Sequence, residues 1–153
     1  MNILAFLQNQ WAHQPWQVLD LFARRPAHRT EIIRRMLARS YTGSRLRAAF
    51  GDDLFDAIVW DNASPVVTSR PRPAPRRDVW SRIAAINHVD EILARARPAV
   101  VLAFGQVAQW AMNDFPEQRC ITGPHPAARR SDTAGELQWM ARELRALVQE
   151  HTP

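Results

Sequence analysis

Four short apolar runs punctuate this chain, and apolar residues recur every three to four positions in the segments between them. Residues 3–7, "ILAFL", are continuously apolar between polar neighbours, the pattern of a strand buried on both faces. Residues 55–60 ("FDAIVW"), 99–104 ("AVVLAF") and 119–122 ("RCIT") predict three further strands. Between the first two, helices are expected over 16–24 and 27–40; in the latter Ile32, Ile33, Met36 and Leu37 share one face and Arg takes the other. Gly43 and Ser44 predict a break, with Ser44 capping a short helix over "RLRAAF". Residues 78–96 carry Val79, Ile83, Ile86, Val89, Ile92 and Leu93 at helical spacing, and Pro98 stops them. Gly105 permits a turn into the helix "QVAQWAMNDF", and Asp132 or Thr133 opens a last helix ending near residue 150. "NQWAHQP" predicts a loop. So does 64–77, "SPVVTSRPRPAPRR", because Pro lacks the N–H that a helix interior or a central strand requires.

Strands that alternate with helices predict an α/β fold, a three-layer α/β/α arrangement around a four-stranded parallel sheet with right-handed crossovers. One domain over 1–153 is expected, with 64–77 as an exposed basic loop inside it. Trp60, Trp80, Trp110 and Trp139 are expected in the core. Open parallel sheets bind ligands beyond the carboxyl ends of their strands. Those ends here read "QNQW", "DNASP", "GQ" and "GPHPAARR", so polar, turn-rich residues gather at one rim.

Composition narrows the classes. With 153 residues and 46% hydrophobic content, the chain can bury a core and is no disordered tail. Its apolar runs are too short to span a bilayer, and "MNILAFLQNQ" lacks a basic leader, so a cytoplasmic protein without a membrane partner is expected. The lone Cys120 excludes an intrachain disulfide and a Cys-based zinc or iron–sulfur site; no metal or other cofactor is expected. The net charge is +5, and all 20 basic residues are Arg. Codon preference explains Arg in place of Lys as well as function does, but the positive excess favours a polyanionic partner. Without Lys there is no side-chain amine for Schiff-base chemistry.

At this point four segments resemble the uracil-DNA glycosylase superfamily. "VVLAFGQVAQWAM" is similar to its strand–Gly–helix segment and "GPHPAARR" to its closing His-Pro motif. "WDNASPVVTSRPRPAP" resembles an Asn-bearing strand end with a Pro/Arg-rich tail, and "LAFLQNQW" a degenerate first motif. They occur in the family's order over nearly the whole chain. The resemblance implies a DNA partner, a monomer, and a base flipped into a pocket at the carboxyl rim, because the glycosidic carbon of a stacked base is shielded.

Carried over by position, the resemblance implies that Asn9 orients the attacking water and Asn62 reads the Watson–Crick edge of the flipped base. His125 would stabilise charge developing on the pyrimidine O2. The family stacks an aromatic ring on the base, and Trp11, Trp16 and Tyr41 are candidates for it by location only. Arg129 stands where relatives place a wedge Leu; Arg130 would contact phosphate, and Arg70, Arg72, Arg76 and Arg77 would track the DNA backbone. Asn9 and Asn62 can equally be turn residues at strand ends, and His125 a loop residue held by its flanking prolines. Three functions therefore stand: a monofunctional glycosylase that removes a deaminated or mismatched base, uracil foremost; an inactive relative that binds DNA or senses a base; and a small domain whose Arg excess meets a protein or RNA.

Overall fold

A computed structural model describes residues 1–11, 14–69 and 79–151, with the backbone alone for Trp11. Four parallel strands form the central sheet: β1 (Ile3–Leu7), β3 (Ile58–Asn62), β5 (Val100–Phe104) and β6 (Cys120–Gly123), in the order β3-β1-β5-β6. Helices flank both faces, giving the three-layer α/β/α architecture. The inner strands β1 and β5 are buried at every position, which is why their sequences are unbroken apolar runs. The edge strands carry the polar residues, Asp61 and Asn62 on β3 and Thr122 on β6.

Alternation along the strands sorts the core in two. Ile3, Ala5 and Leu7 of β1 and Val100, Leu102 and Phe104 of β5 pack beneath α1 (Pro15–Arg24), α2 (Arg29–Ala38), α3 (Tyr41–Phe50), α4 (Asp52–Ala57) and α7 (Thr133–Glu150). Leu4, Phe6, Val101 and Ala103 face α5 (Val79–Ala96) and α6 (Gly105–Met112) on the other side. Trp60 is fully buried; its ring lies 5.0 Å from that of Phe55 and 6.0 Å from that of Phe104, and its indole N–H donates to the Phe55 carbonyl at 2.8 Å.

Several expectations need correction. The run "FDAIVW" divides: its first three residues end α4, and the strand is Ile58–Asn62. A short apolar run cannot distinguish helix from strand by period. Here Asp52 and Asp53 favour a helix N-terminus, and Phe55 buries itself from the helix. Asp61 and Asn62 thereby become strand residues, with Asn62 in register opposite Leu7. Gly43 and Ser44 do not break a helix but lie inside α3, capped instead by Ser40, whose Oγ accepts the Gly43 N–H at 3.0 Å. Gly43 is there for close approach: a Cβ would stand 1.9 Å from the Leu37 carbonyl oxygen.

The two expected loops are joined. β2 (Gln10–Trp11) pairs in parallel with β4 (Val67–Thr68), a two-stranded ribbon tying the segment after β1 to the segment after β3. Ser64 and Thr68 are buried, so 64–69 is not an exposed linker; residues 70–77 of the same stretch lie outside the described residues. Trp80 and Trp139 are not core residues, at 77% and 45% exposed, because they lie off the buried stripes of their helices, which run through Ala85, Val89 and Ile92 on α5 and through Leu137, Met140, Ala141, Leu144 and Leu147 on α7. Trp110 is half-buried, with the Arg82 guanidinium 4.7 Å above its ring. Among the described residues, no helix is long and apolar enough to cross a membrane.

This division of tryptophans is measurable. Trp60→Ala should cost about 3–5 kcal/mol in urea unfolding, the range for a truncated core aromatic. Trp80→Ala should stay within about 0.5 kcal/mol of the parent. Equal losses would contradict the packing described.

Candidate functional site

Because the strands run in parallel, their carboxyl ends deliver four segments to one rim. Asn9 lies two residues past β1, Asn62 ends β3, Gly105 directly follows β5, and His125 lies two residues past β6. Asn9, Asn62 and His125 line one cleft of about 700 Å³. That is within the roughly 300–1,000 Å³ of small-molecule sites. The first strand's extension, Leu7–Gln10, forms one side; Met36, Ser40 and Tyr41, from the junction of α2 and α3, form another.

Asn62 forms the floor and is 2% exposed. Its side-chain Nδ2 is buried and has no hydrogen-bond partner among the described residues. Buried amides without partners are uncommon, because desolvation is then uncompensated. The backbone around it is fully engaged. The Ala63 N–H donates to the Leu7 carbonyl, so the Asn62 N–H faces the open edge of the sheet, where Asp61 Oδ1 accepts it at 2.8 Å.

Asp61 is itself fully buried on the opposite side of the strand. The Arg29 Nε–H donates to its Oδ1 at 3.2 Å, and His88 Nε2 stands 3.5 Å from the same oxygen, within ion-pair reach but beyond a good hydrogen bond. Its Oδ2 has no partner among the described residues. The Arg29 guanidinium also lies 4.3 Å above the Phe22 ring. Residues 29, 61 and 88 thus converge to hold the end of β3, a cluster with no sequence motif to announce it.

Asn9 is fixed by the small ribbon. Its Nδ2 donates to Thr68 Oγ1 at 3.1 Å and to the Gln10 carbonyl at 3.2 Å. The pairing of β2 with β4 therefore sets the orientation of the amide.

His125 is largely desolvated, and burial lowers its pKa from 6.5 to about 4. The imidazole is neutral near pH 7. Its Nδ1 accepts the Ala127 N–H at 3.2 Å, so the single proton resides on Nε2. Gly105 shapes the same corner: with φ at +79°, it also leaves no room for a Cβ, which would meet Gln8 Nε2 at 2.8 Å and His125 Cβ at 3.0 Å.

The other sequence candidates are placed as follows. Arg129 is exposed. Arg130 is exposed and engaged with acids, its Nη2 3.2 Å from Glu136 and 3.6 Å from Asp132. Arg70, Arg72, Arg76 and Arg77 lie outside the described residues, as does the Trp11 side chain. Tyr41 lines the cleft mouth and is 68% exposed; Trp16 is also exposed but is not among the cleft's lining residues. Ser40, Arg39 and Gln8 line the cleft without having been singled out by sequence. Arg45 secures the wall opposite by donating from Nη1 to the Ala128 carbonyl at 3.2 Å.

The described lining residues of the cleft include no carboxylate. Among the described residues, no group of three or more His, Cys, Asp or Glu is arranged to hold a metal ion. The site can donate and accept through amides, hydroxyls and one neutral imidazole, and can donate through the Arg39 guanidinium. No protein-family model matches the chain, and no curated protein matches it.

Two measurements check this electrostatic picture. An NMR titration should place His125 near pH 4; a midpoint near 6.5 would contradict its burial. Since the unfolded imidazole protonates first, the His125 contribution to stability should be constant above about pH 6.5. It should then fall as the pH drops toward 4, by up to about 3 kcal/mol from this residue. Arg29→Ala, which strands the Asp61 carboxylate in the interior, should cost about 3–5 kcal/mol in urea unfolding; a loss under about 1 kcal/mol would show that the carboxylate needs no such partner.

Proposed function

We propose that the protein is a monofunctional DNA glycosylase that hydrolyses the N-glycosidic bond of a flipped base, uracil foremost. The observation that carries this reading is the convergence of Asn9, Asn62 and His125 on one cleft, with the Asn62 amide nitrogen buried and unpaired at its floor. A side-chain amide both donates and accepts, as the edge of a uracil demands. The nitrogen is sealed from solvent, so engaging it takes a turn of the amide toward the cleft.

The remaining groups fit the same reaction. The neutral His125 presents Nε2–H as a donor in a desolvated corner, where a hydrogen bond to an oxygen gaining charge is strongest. Asn9 is held in place by Thr68 and would orient water through its carbonyl oxygen. The chain has no Lys, and so no side-chain amine in the cleft. An amine attack on the sugar has no source there, which leaves water as the nucleophile.

A second reading, a relative that binds DNA or senses a base without cutting, is favoured by one observation. The described cleft lining holds no carboxylate, so no strong general base faces the substrate.

Uracil-bearing oligonucleotides followed by alkaline cleavage separate the two. Excision should occur, fall about a hundredfold to a thousandfold in His125→Ala, and fall in Asn62→Ala and Asn9→Ala. DNA binding without any strand breaks would favour the second reading. Excision unchanged in all three variants would remove the cleft from the account.

A further inference from the structure

A second groove, of about 590 Å³, adjoins the first. The two share Gln8, His125 and Ala128, so they are neighbouring compartments of one rim with a common wall. Their chemistry differs. The second is lined by the amides of Gln106 and Gln109, the Thr122 hydroxyl, Arg130, the Glu136 carboxylate and the ring of Trp139. Gln109 is anchored, its Nε2 donating to the Gly123 carbonyl at 2.6 Å.

Trp139 is the unusual member. The core side of α7 is built from Leu137, Met140, Ala141, Leu144 and Leu147, and Trp139 falls off that face at 45% exposed. An indole is the largest apolar surface the chain can offer, and here it is left half in water along a polar groove. The acid beside it, Glu136, is paired with Arg130 at 3.2 Å, which limits its repulsion of an anion. Arg129 stands exposed on the same loop.

We propose that this second groove seats the nucleotide adjoining the one in the first cleft, with its base stacked on Trp139, and that the preferred substrate is single-stranded DNA. This rests on the reading of the protein as DNA-binding. Turning one base into the first cleft strips its neighbour of a stacking partner on one face. Trp139 supplies a replacement face across the shared wall, so adjoining nucleotides occupy adjoining compartments. Stacking on an aromatic side chain tolerates any base, which suits a flanking position that carries no sequence information. In a duplex the neighbouring base is retained by its pairing partner and gains little from the ring.

The test uses an unmodified, fluorescently labelled oligothymidylate, so that binding is read independently of excision. By anisotropy at low salt, Trp139→Ala should weaken binding about fivefold to a hundredfold, while Trp139→Phe, which keeps a ring face, should retain most of it. The loss should be larger on the single strand than on a duplex of the same sequence. Circular dichroism matching the parent confirms that the variant is folded, as expected for a half-exposed residue. If the parent binds and Trp139→Ala binds equally well, the second groove is not a nucleotide subsite, although the DNA reading survives. An equal loss on single strand and duplex would overturn the single-strand preference. A parent protein that binds no oligonucleotide removes both the DNA reading and this inference.

Discussion

Parallel pairing of four strands in a single direction is the constraint from which the rest follows. It gathers every strand's carboxyl end at one rim, so residues near positions 9, 62, 105 and 125 meet although the chain separates them widely. The inner strands must then be apolar on both faces, and functional polar groups are confined to the ends of strands and to the edge strands β3 and β6. The candidate site is what this geometry leaves open: a cleft with strand-end amides as its floor and flank and an imidazole at its corner.

That opening is held by polar contacts as well as by apolar packing. Asp61 covers the outward N–H of Asn62, and Arg29 with His88 surrounds the carboxylate from α2 and α5. A buried ion pair is a poor source of net stability, because the desolvation of both charges offsets most of their attraction. What it does supply is a defined end to β3, with the backbone N–H of Asn62 tied to the Asp61 carboxylate at the sheet edge. The ribbon of β2 with β4 plays the same part for Asn9. Both strand ends are thus tied by side-chain contacts, the Asn62 backbone through Asp61 and the Asn9 amide through Thr68.

Much of this was legible in the residues. Ile3–Leu7 and Val100–Phe104 read as strands because complete burial leaves no polar position. The meeting of strand ends at one rim followed from the alternation of strands and helices. The failures have physical causes. "FDAIVW" is apolar enough for either helix or strand, and packing of Phe55 against Trp60 settles it. Gly43 reads as a breaker in the sequence, whereas it admits the Leu37 carbonyl to van der Waals range, a contact between two helices that a one-dimensional pattern does not contain. Trp80 and Trp139 are residues of core type, but they fall off the buried stripes of α5 and α7. The Arg29–Asp61–His88 cluster and the wall formed by Ser40 and Tyr41 depend on where helices come to rest, and no local signal encodes that.

The central claim is that a nucleobase completes the unpaired Asn62 amide beside a neutral His125. The most direct measurement is an NMR titration of the protein with free uracil, following the Asn62 side-chain NH₂ and the His125 imidazole resonances. The account predicts saturable shifts at both groups with a common dissociation constant, the Asn62 NH₂ signals moving downfield as they gain an acceptor. Uracil that leaves both groups unmoved, or that binds while shifting only residues elsewhere, would contradict it.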